Sequence, residues 1–184
     1  MEPILTLPYS EWLVAEQLMR EFPSRGGYSV YAPLSRQEKG VDLLLTRRLN
    51  GVSRAAALQI KYSRAYEQKR GSHFRFEIWF RSFPVGDQAD FFVLAAWYPN
   101  VTGRGGGKRA SWWLPLMLVF ERREMADLIA SLRTRSGKPE RMFYFAFNSA
   151  DRVVLTRGAA EHRDFTSHTF ANRLSLIRTF LGAA

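Results

Sequence analysis

The sequence predicts an α/β or α+β fold, in which helices flank a central mixed β-sheet. Three observations favour this class. An amphipathic helix precedes several short extended segments, a nearly continuous apolar strand lies at 89–98, and an apolar helix closes the chain. A strand this apolar is covered on both of its faces, so it belongs at the centre of a sheet with a further layer on each side.

The first helix is predicted from Ser10 to Phe22. Ser10 is a suitable N-cap, and the carboxylate of Glu11 suits the first turn, where the helix dipole is positive. The apolar positions recur at helical spacing: Leu13, Val14, Leu18, Met19 and Phe22. Residues 23–27, with the sequence PSRGG, then end the helix.

Three extended segments follow the helix: 28–32, 40–48 and 55–63. Asn50-Gly51 lies between the second and the third, and this dipeptide is the strongest short signal for a two-residue β-hairpin turn. A polar, basic stretch at 64–72 leads into an aromatic segment at 73–83, whose apolar side chains recur at every second position. That period is typical of a strand with one buried face.

The C-terminal half is predicted to contain a strand at 111–120, a helix at 121–133, strands at 142–147 and 152–156, and a helix at 169–181. Pro115 predicts that the first of these strands lies at a sheet edge, because proline has no N–H to give to a ladder. The length of 184 residues suits a single domain, 1–184, with a core at about 9–98 and an extension at about 99–184.

Charge and composition restrict the possible function classes. The chain has 27 Lys and Arg residues against 17 Asp and Glu residues, a formal net charge of +10, which favours a polyanionic partner such as nucleic acid. The absence of cysteine excludes disulfides, thiolate catalysis and the usual structural zinc sites. The sequence contains no apolar stretch long enough for a membrane span, and its first residues lack the pattern of a secretory signal, so we expect none. We therefore expect a cytoplasmic protein without a membrane partner.

A group of polar residues lies within the predicted hairpin. Asp42 interrupts an apolar strand, where an unpaired carboxylate is unfavourable. Gln59 and Lys61 are two residues apart on the next strand, so their side chains point to the same face. Asp42, the Gln59 oxygen and the main-chain carbonyl of Ile60 are suitable ligands for Mg²⁺ or Mn²⁺. Lys61 can position a metal-bound water and offset charge on a scissile phosphate.

These residues resemble the motifs of the PD-(D/E)XK nuclease superfamily. Asp42 in GVDLL matches the first acidic residue of the family, and Gln59-Ile60-Lys61 in LQIKYS matches its (D/E/Q)-x-K motif. The stretch at 10–33 is similar to the start of the resolvase-like branch, and this similarity aligns Glu11 with a family glutamate. The resemblance covers roughly residues 9–98.

The resemblance implies a restriction-endonuclease-like core, in which a helix, a three-stranded meander, a helix and a further strand follow one another. It also implies a metal-dependent endonuclease that hydrolyses DNA phosphodiester bonds, with Mg²⁺ or Mn²⁺ as cofactor and a homodimer as a common assembly. The catalytic residues it implies are Asp42, Gln59, Lys61 and Glu11. Two features depart from the family: Gln59 replaces the commoner Glu or Asp, and residues 64–83 carry no clear signal for the helix after the third strand.

Basic side chains near the hairpin and in the glycine-rich loop are candidates for contact with a nucleic-acid backbone. They are Arg47, Arg48, Arg64, Lys69, Arg70, Arg104, Lys108 and Arg109.

Two alternative functions stay open: a catalytically inactive nuclease-fold module that binds nucleic acid or a protein partner, and an unrelated fold whose basic surface contacts RNA. His73, His162 and His168 show no metal-ligand spacing and are expected at the surface or in loops.

Overall fold

The computed structural model describes residues 9–33, 40–100, 113–159 and 161–182. In chain order the elements are α1 (Tyr9–Glu21), β1 (Tyr28–Tyr31), β2 (Leu43–Leu49), β3 (Val52–Arg64), β4 (Tyr66–Glu67), β5 (Phe76–Arg81), β6 (Phe91–Pro99), β7 (Trp113–Glu121), α2 (Arg122–Ser131), β8 (Met142–Phe147), β9 (Val153–Arg157), β10 (Arg163–Asp164) and α3 (Phe170–Phe180). Short 3₁₀ turns at Ser24–Gly26 and Thr166–His168 precede β1 and α3. The fold is therefore α+β, with more strand than helix.

Within these residues the strands form two five-stranded sheets. The first sheet has the order β1-β2-β3-β6-β7, and the second sheet has the order β10-β9-β8-β5-β4. Strands β3 and β6 pair in parallel, whereas the other neighbouring strands pair antiparallel. The first sheet is therefore mixed, as predicted, and β6 lies inside it.

The elements pack in three layers. Helices α1 and α3 cover one face of the first sheet, where Phe22 and Ile177 belong to the same buried cluster as Leu58. The second sheet covers the opposite face, and there Leu94 of β6 shares a buried cluster with Phe145 of β8 and with α2. Because the first sheet lies between these two cores, both faces of its central strand are removed from water.

The β2–β3 hairpin turns at the predicted dipeptide. Leu49 and Val52 pair directly, so Asn50 and Gly51 form the two-residue loop. Both loop residues have positive φ, 51° for Asn50 and 80° for Gly51, as a type I′ turn requires. The length of this loop fixes the register of the hairpin, and the register decides which side chains of β2 and β3 lie opposite each other.

Several other predictions are confirmed, and one expectation from the resemblance is not met. Helices α1, α2 and α3 lie where the periodicity places them, and β7, which contains Pro115, is an edge strand of the first sheet. Residues 65–90, all of which are described, contain β4 and β5 instead of a helix. The alternating Phe76, Ile78 and Phe80 are buried against the first sheet, so a second sheet occupies the face that a helix was expected to cover. No helix in the described ranges is long and apolar enough to cross a membrane.

Candidate active site on the β2–β3 hairpin

Asp42 lies directly before β2 and interacts with β3 through both its main chain and its side chain. Its N–H donates to the Leu58 carbonyl at 2.8 Å. Its carboxylate Oδ2 accepts the Ile60 N–H at 2.6 Å. The carboxylate thus satisfies a main-chain donor at the point where the regular ladder of β2 ends, which explains why an acid is tolerated inside an apolar run.

The main-chain N–H and C=O groups of Ile60 point to the edge of β3 where Asp42 lies. In an antiparallel pair the N–H and the C=O of one residue point toward the same neighbouring strand. Because the Ile60 N–H reaches Asp42, the Ile60 carbonyl also points toward the end of β2. The predicted carbonyl ligand and the predicted carboxylate ligand therefore lie at one edge of the hairpin.

Gln59 is half-buried and lies on the face of the first sheet that points to the second sheet. It is paired in register with Phe92 of β6, whose side chain lies in the core between the sheets. Gly40 packs closely over it: a Cβ at Gly40 would lie 3.6 Å from Gln59 Nε2 and 3.4 Å from Gln88 Oε1. Gly40 has a φ of +97°, so both space and conformation favour glycine there.

Lys61 follows Gln59 on the same face of β3. Its Nζ lies 5.3 Å from the centroid of the Phe83 ring, a cation–π distance. A pocket of about 630 Å³ opens beside it, and Arg64, Arg81 and Trp79 also line this pocket. Lys61 is therefore half-buried at the margin of a basic, aromatic cleft.

Asp42 and Lys61 do not form an ion pair with each other, nor with any other described residue. Asp42 lies across from Gln59, because Leu43 pairs with Leu58. Lys61 lies two residues beyond Gln59 along β3, a Cα–Cα distance of about 7 Å in an extended strand. This separation keeps the carboxylate and the ammonium from neutralising each other directly. The pocket beside Lys61 is lined by neither Asp42 nor Gln59.

The donor set for a metal is small. Among the described residues, no group of three or more His, Cys, Asp or Glu side chains could hold a metal ion. The predicted ligands are instead one carboxylate, from Asp42, one amide oxygen, from Gln59, and the Ile60 carbonyl. These are the hard oxygen donors that Mg²⁺ and Mn²⁺ accept, and such sites keep several waters. These residue types are ones that a divalent cation accepts, and together they supply a single formal negative charge.

Glu11 lies on a different element from Asp42, Gln59 and Lys61. It lies in the first turn of α1, in the helical layer. Leu58 and Ile60 point toward that layer, whereas Gln59 and Lys61 point to the other side of the first sheet. The role of Glu11 as an outer acidic residue stays a prediction.

The predicted nucleic-acid contacts fall into three groups. Arg48, Arg64, Lys69 and Arg70 are exposed, and Arg64 lines the pocket beside Lys61. Arg104, Lys108 and Arg109 lie outside the described residues. Arg47 differs from the others: its guanidinium stacks 5.3 Å from the centroid of the Tyr28 ring, and its buried Nε and Nη1 have no hydrogen-bond partner among the described atoms.

The segment 82–90 was missed by the sequence reasoning although it adjoins the cluster. Phe83 packs against Lys61 and stacks on Phe92 at 6.1 Å, and Gln88 approaches Gly40. Asp90 makes a contact on β3 like that of Asp42, since its Oδ2 accepts the Ala57 N–H at 2.8 Å. No local pattern marks these residues, because their positions depend on how the chain crosses from β5 to β6.

The three histidines lie at the surface or in a turn, as the sequence predicts, but they differ in exposure. His73 and His162 are exposed, as expected, but the side chain of His168 is only 17% exposed. Its ring lies 4.7 Å from that of Phe120 and 5.0 Å from that of Phe165, and its Nε2 lies 3.7 Å from Glu124. Tertiary packing of the turn before α3 buries it, and the sequence around it gives no sign of that packing.

Comparison with known proteins finds no relative: no protein-family description, no curated protein and no solved structure matches the chain.

Proposed function

We propose that the chain is a Mg²⁺- or Mn²⁺-dependent endonuclease that hydrolyses DNA through a PD-(D/E)XK-type site. The observation that carries this proposal is the meeting of the Asp42 carboxylate with the Ile60 main chain, beside Gln59 and with Lys61 next on the same face. A carboxylate, a main-chain carbonyl and an ammonium at one strand end are the groups that phosphodiester hydrolysis uses.

The order of elements around this site supports the restriction-endonuclease-like assignment. Helix α1 is followed by the meander β1-β2-β3 and then by β6, which lies beside β3 in the same sheet. The crossover from β3 to β6 passes through β4 and β5 instead of a helix. We take this second sheet to be a variation of the core that leaves the β2–β3 hairpin and its site residues in place. A homodimer and a cytoplasmic location stay predictions.

Each residue of the cluster has a chemical role in this proposal. Asp42, Gln59 Oε1 and the Ile60 carbonyl would hold the cation, which when bound supplies Lewis-acid activation of water and of the phosphate. Lys61 donates to a phosphate oxygen or to the attacking water and offsets the negative charge that develops in the transition state. Arg64 and Arg81, which line the adjacent pocket, hold the DNA backbone.

The test is cleavage of supercoiled plasmid and of branched DNA in Mg²⁺ or Mn²⁺. Asp42→Asn keeps an acceptor for the Ile60 N–H and removes the charge, and Lys61→Met keeps the aliphatic stem over Phe83 and removes the ammonium. Each is expected to lower the cleavage rate by about 100-fold or more, because each removes a charge from the reacting centre.

Two matched controls separate this effect from a general loss of charge. Asp127→Asn and Lys138→Met change an exposed acid and an exposed lysine away from the hairpin, and both should cleave at the unaltered rate. Thermal melting of all four variants checks that they fold. Cleavage that survives both Asp42→Asn and Lys61→Met in folded protein contradicts the proposal.

A second candidate function is favoured by the single carboxylate of the cluster. With Gln59 in place of an acid, and no three acidic or histidine side chains grouped elsewhere in the described residues, the site is suited to a nuclease-fold module that binds nucleic acid without cutting it. Titration with Mn²⁺ distinguishes the two. Millimolar or tighter binding that is lost in Asp42→Asn favours the enzyme, whereas DNA binding unaffected by metal, without cleavage, favours the module.

A further inference from the structure

The outer face of the second sheet, which points away from the first sheet, carries a pocket of about 690 Å³. Its floor is Ala146 in β8, and Glu77 lies directly across from it on β5. Tyr144 and Asn148, two residues to either side along β8, also line it. A small residue between larger neighbours leaves a depression in the sheet surface, and the volume lies in the range of small-molecule sites.

Three arginine side chains lie in the wall of this pocket. Arg135, Arg152 and Arg157 line it, together with one acidic residue, Glu77. Arg157 is paired with Glu140 at 3.1 Å, whereas Arg135 and Arg152 are exposed and make no ion pair within the described part of the chain. Arginine presents a planar fork of donors that matches phosphate oxygens, so the wall is suited to a phosphate group.

Two aromatic rings also belong to the wall of the pocket. Tyr144 and Phe74 both line the pocket and are half-buried. The guanidinium of Arg157 lies 5.0 Å from the Tyr144 ring centroid, and that of Arg152 lies 6.0 Å from the Phe74 ring centroid. Aromatic faces and guanidinium planes are the surfaces on which nucleic-acid bases stack. The ligand that fits is therefore a planar ring joined to a phosphate.

Glu77 supplies specificity at the floor. Its Oε2 accepts from Gln68 Nε2 at 3.0 Å, and its Oε1 accepts from Thr156 Oγ1 at 3.2 Å. These neutral donors orient the carboxylate without cancelling its charge, and each oxygen retains a second lone pair. Among the bases, guanine presents two adjacent donors, N1–H and N2–H, to a carboxylate, whereas adenine presents an acceptor at N1.

We propose that this pocket binds a guanine nucleotide. Glu77 accepts from the guanine edge, Tyr144 and Phe74 supply the stacking surface, and Arg135 and Arg152 hold the phosphate. The nucleotide is either free or part of a single strand, since the chemistry recognised is the same. None of the residues assigned to hydrolysis lines this pocket, so the inference does not depend on the proposed nuclease activity.

The experiment measures binding of GMP, AMP, guanosine and the pentamers d(TTGTT) and d(TTATT) by titration calorimetry. The guanine member of each pair is expected to bind about fivefold tighter or more, the discrimination of one good bidentate base contact. Glu77→Gln should abolish this preference, whereas Glu67→Gln, on a neighbouring strand outside the pocket, should retain it. Arg152→Ala should weaken GMP binding and leave guanosine binding unchanged.

The two sources of the ligand are separated by the same titrations. Tight binding of GMP indicates a free nucleotide, and tight binding of d(TTGTT) with weak binding of GMP indicates a strand; both outcomes support the site. Equal affinities for the guanine and adenine ligands, no binding of either pair, or an unchanged preference in folded Glu77→Gln would overturn the proposal.

Discussion

The two sheets share one core but differ on their outer faces. In the first sheet the outer face is covered by α1 and α3, and consecutive residues of β6 from Phe91 to Ala96 are buried. In the second sheet no helix in the described residues covers the outer face, and exposed Trp79 and half-buried Glu77 alternate with buried residues along β5. A strand that is covered on both faces is apolar throughout, whereas a strand with one open face alternates apolar and polar residues. The polar residues of such an open face are accessible to a ligand.

The largest expected effect separates the two faces of the second sheet at neighbouring positions of β8. Phe145 is fully buried between the sheets, whereas Tyr144 lies on the outer face. Phe145→Ala should lower the free energy of unfolding by about 3–5 kcal/mol, the usual cost of a large cavity. Tyr144→Ala should cost about 1 kcal/mol, because a half-exposed ring loses less apolar contact and one cation–π contact.

Urea unfolding of the two variants measures both values. A Tyr144→Ala effect as large as that of Phe145→Ala would mean that the outer face of the second sheet is covered, and the contrast between the sheets would fail.

The matching experiment in the first sheet uses Val93 and Leu94 of β6, which are neighbours on opposite faces. Val93 lies against the helices and Leu94 lies against the second sheet, and each is almost fully buried. Leu94→Ala should cost about 2–5 kcal/mol. Val93→Ala should cost roughly 2 kcal/mol, because it also leaves a cavity. In β6, unlike in β8, both substitutions should therefore lower the free energy of unfolding substantially. If urea unfolding shows a negligible decrease for Val93→Ala, the helical layer packs loosely on the first sheet.

The smallest expected effect is the pH dependence of stability that His168 contributes. Burial, with Arg173 nearby, lowers the pKa of His168 below its ordinary value near 6.5, and the neighbouring Glu124 only partly opposes this. The unfolded chain then binds the proton more readily than the folded chain, so stability falls as the pH drops below about 6.5. His168→Asn should flatten this part of the profile.

Acidic groups provide an internal control for that profile. The pKa of Glu140 is lowered by the N–H groups of Arg141 and Met142, and that of Asp164 is lowered by Thr166. Their contributions are lost only as the pH falls below about 4, through their depressed pKa values. Chemical unfolding at pH 7, 5.5 and 3.5 therefore resolves the two ranges, and a loss between pH 7 and 5.5 that persists in His168→Asn would exclude the histidine as its origin.

Local patterns predicted most of the elements but not their assembly. The spacing of apolar residues located α1, α2 and α3, and Asn50-Gly51 fixed the hairpin, because each signal lies within a few residues. The aromatic period predicted β5 as a strand, yet not its membership of a second sheet. That membership depends on pairing with β8, more than sixty residues later, where Phe80 meets Phe143.

The residues of the candidate site also fall into those that local patterns predicted and those that depend on distant packing. Asp42, Gln59 and Lys61 were predicted because a two-residue turn sets the hairpin register and strand parity sets the faces. Phe83 and Gln88 were not predicted, since they reach the cluster through a crossover whose path depends on distant packing. The Arg47 side chain, which stacks on Tyr28, likewise depends on the pairing of β1 with β2.

The continuity of β3 has a consequence for how the chain folds. Its first half closes a local hairpin, which forms on the microsecond scale, whereas its second half pairs with β6 only after residues 65–90 have been placed. Those residues contain β5, whose own partner β8 is synthesised later still. A nascent chain that stops short of β8 would therefore leave one edge of β5 without its partner strand, and an unpaired edge can pair with other chains.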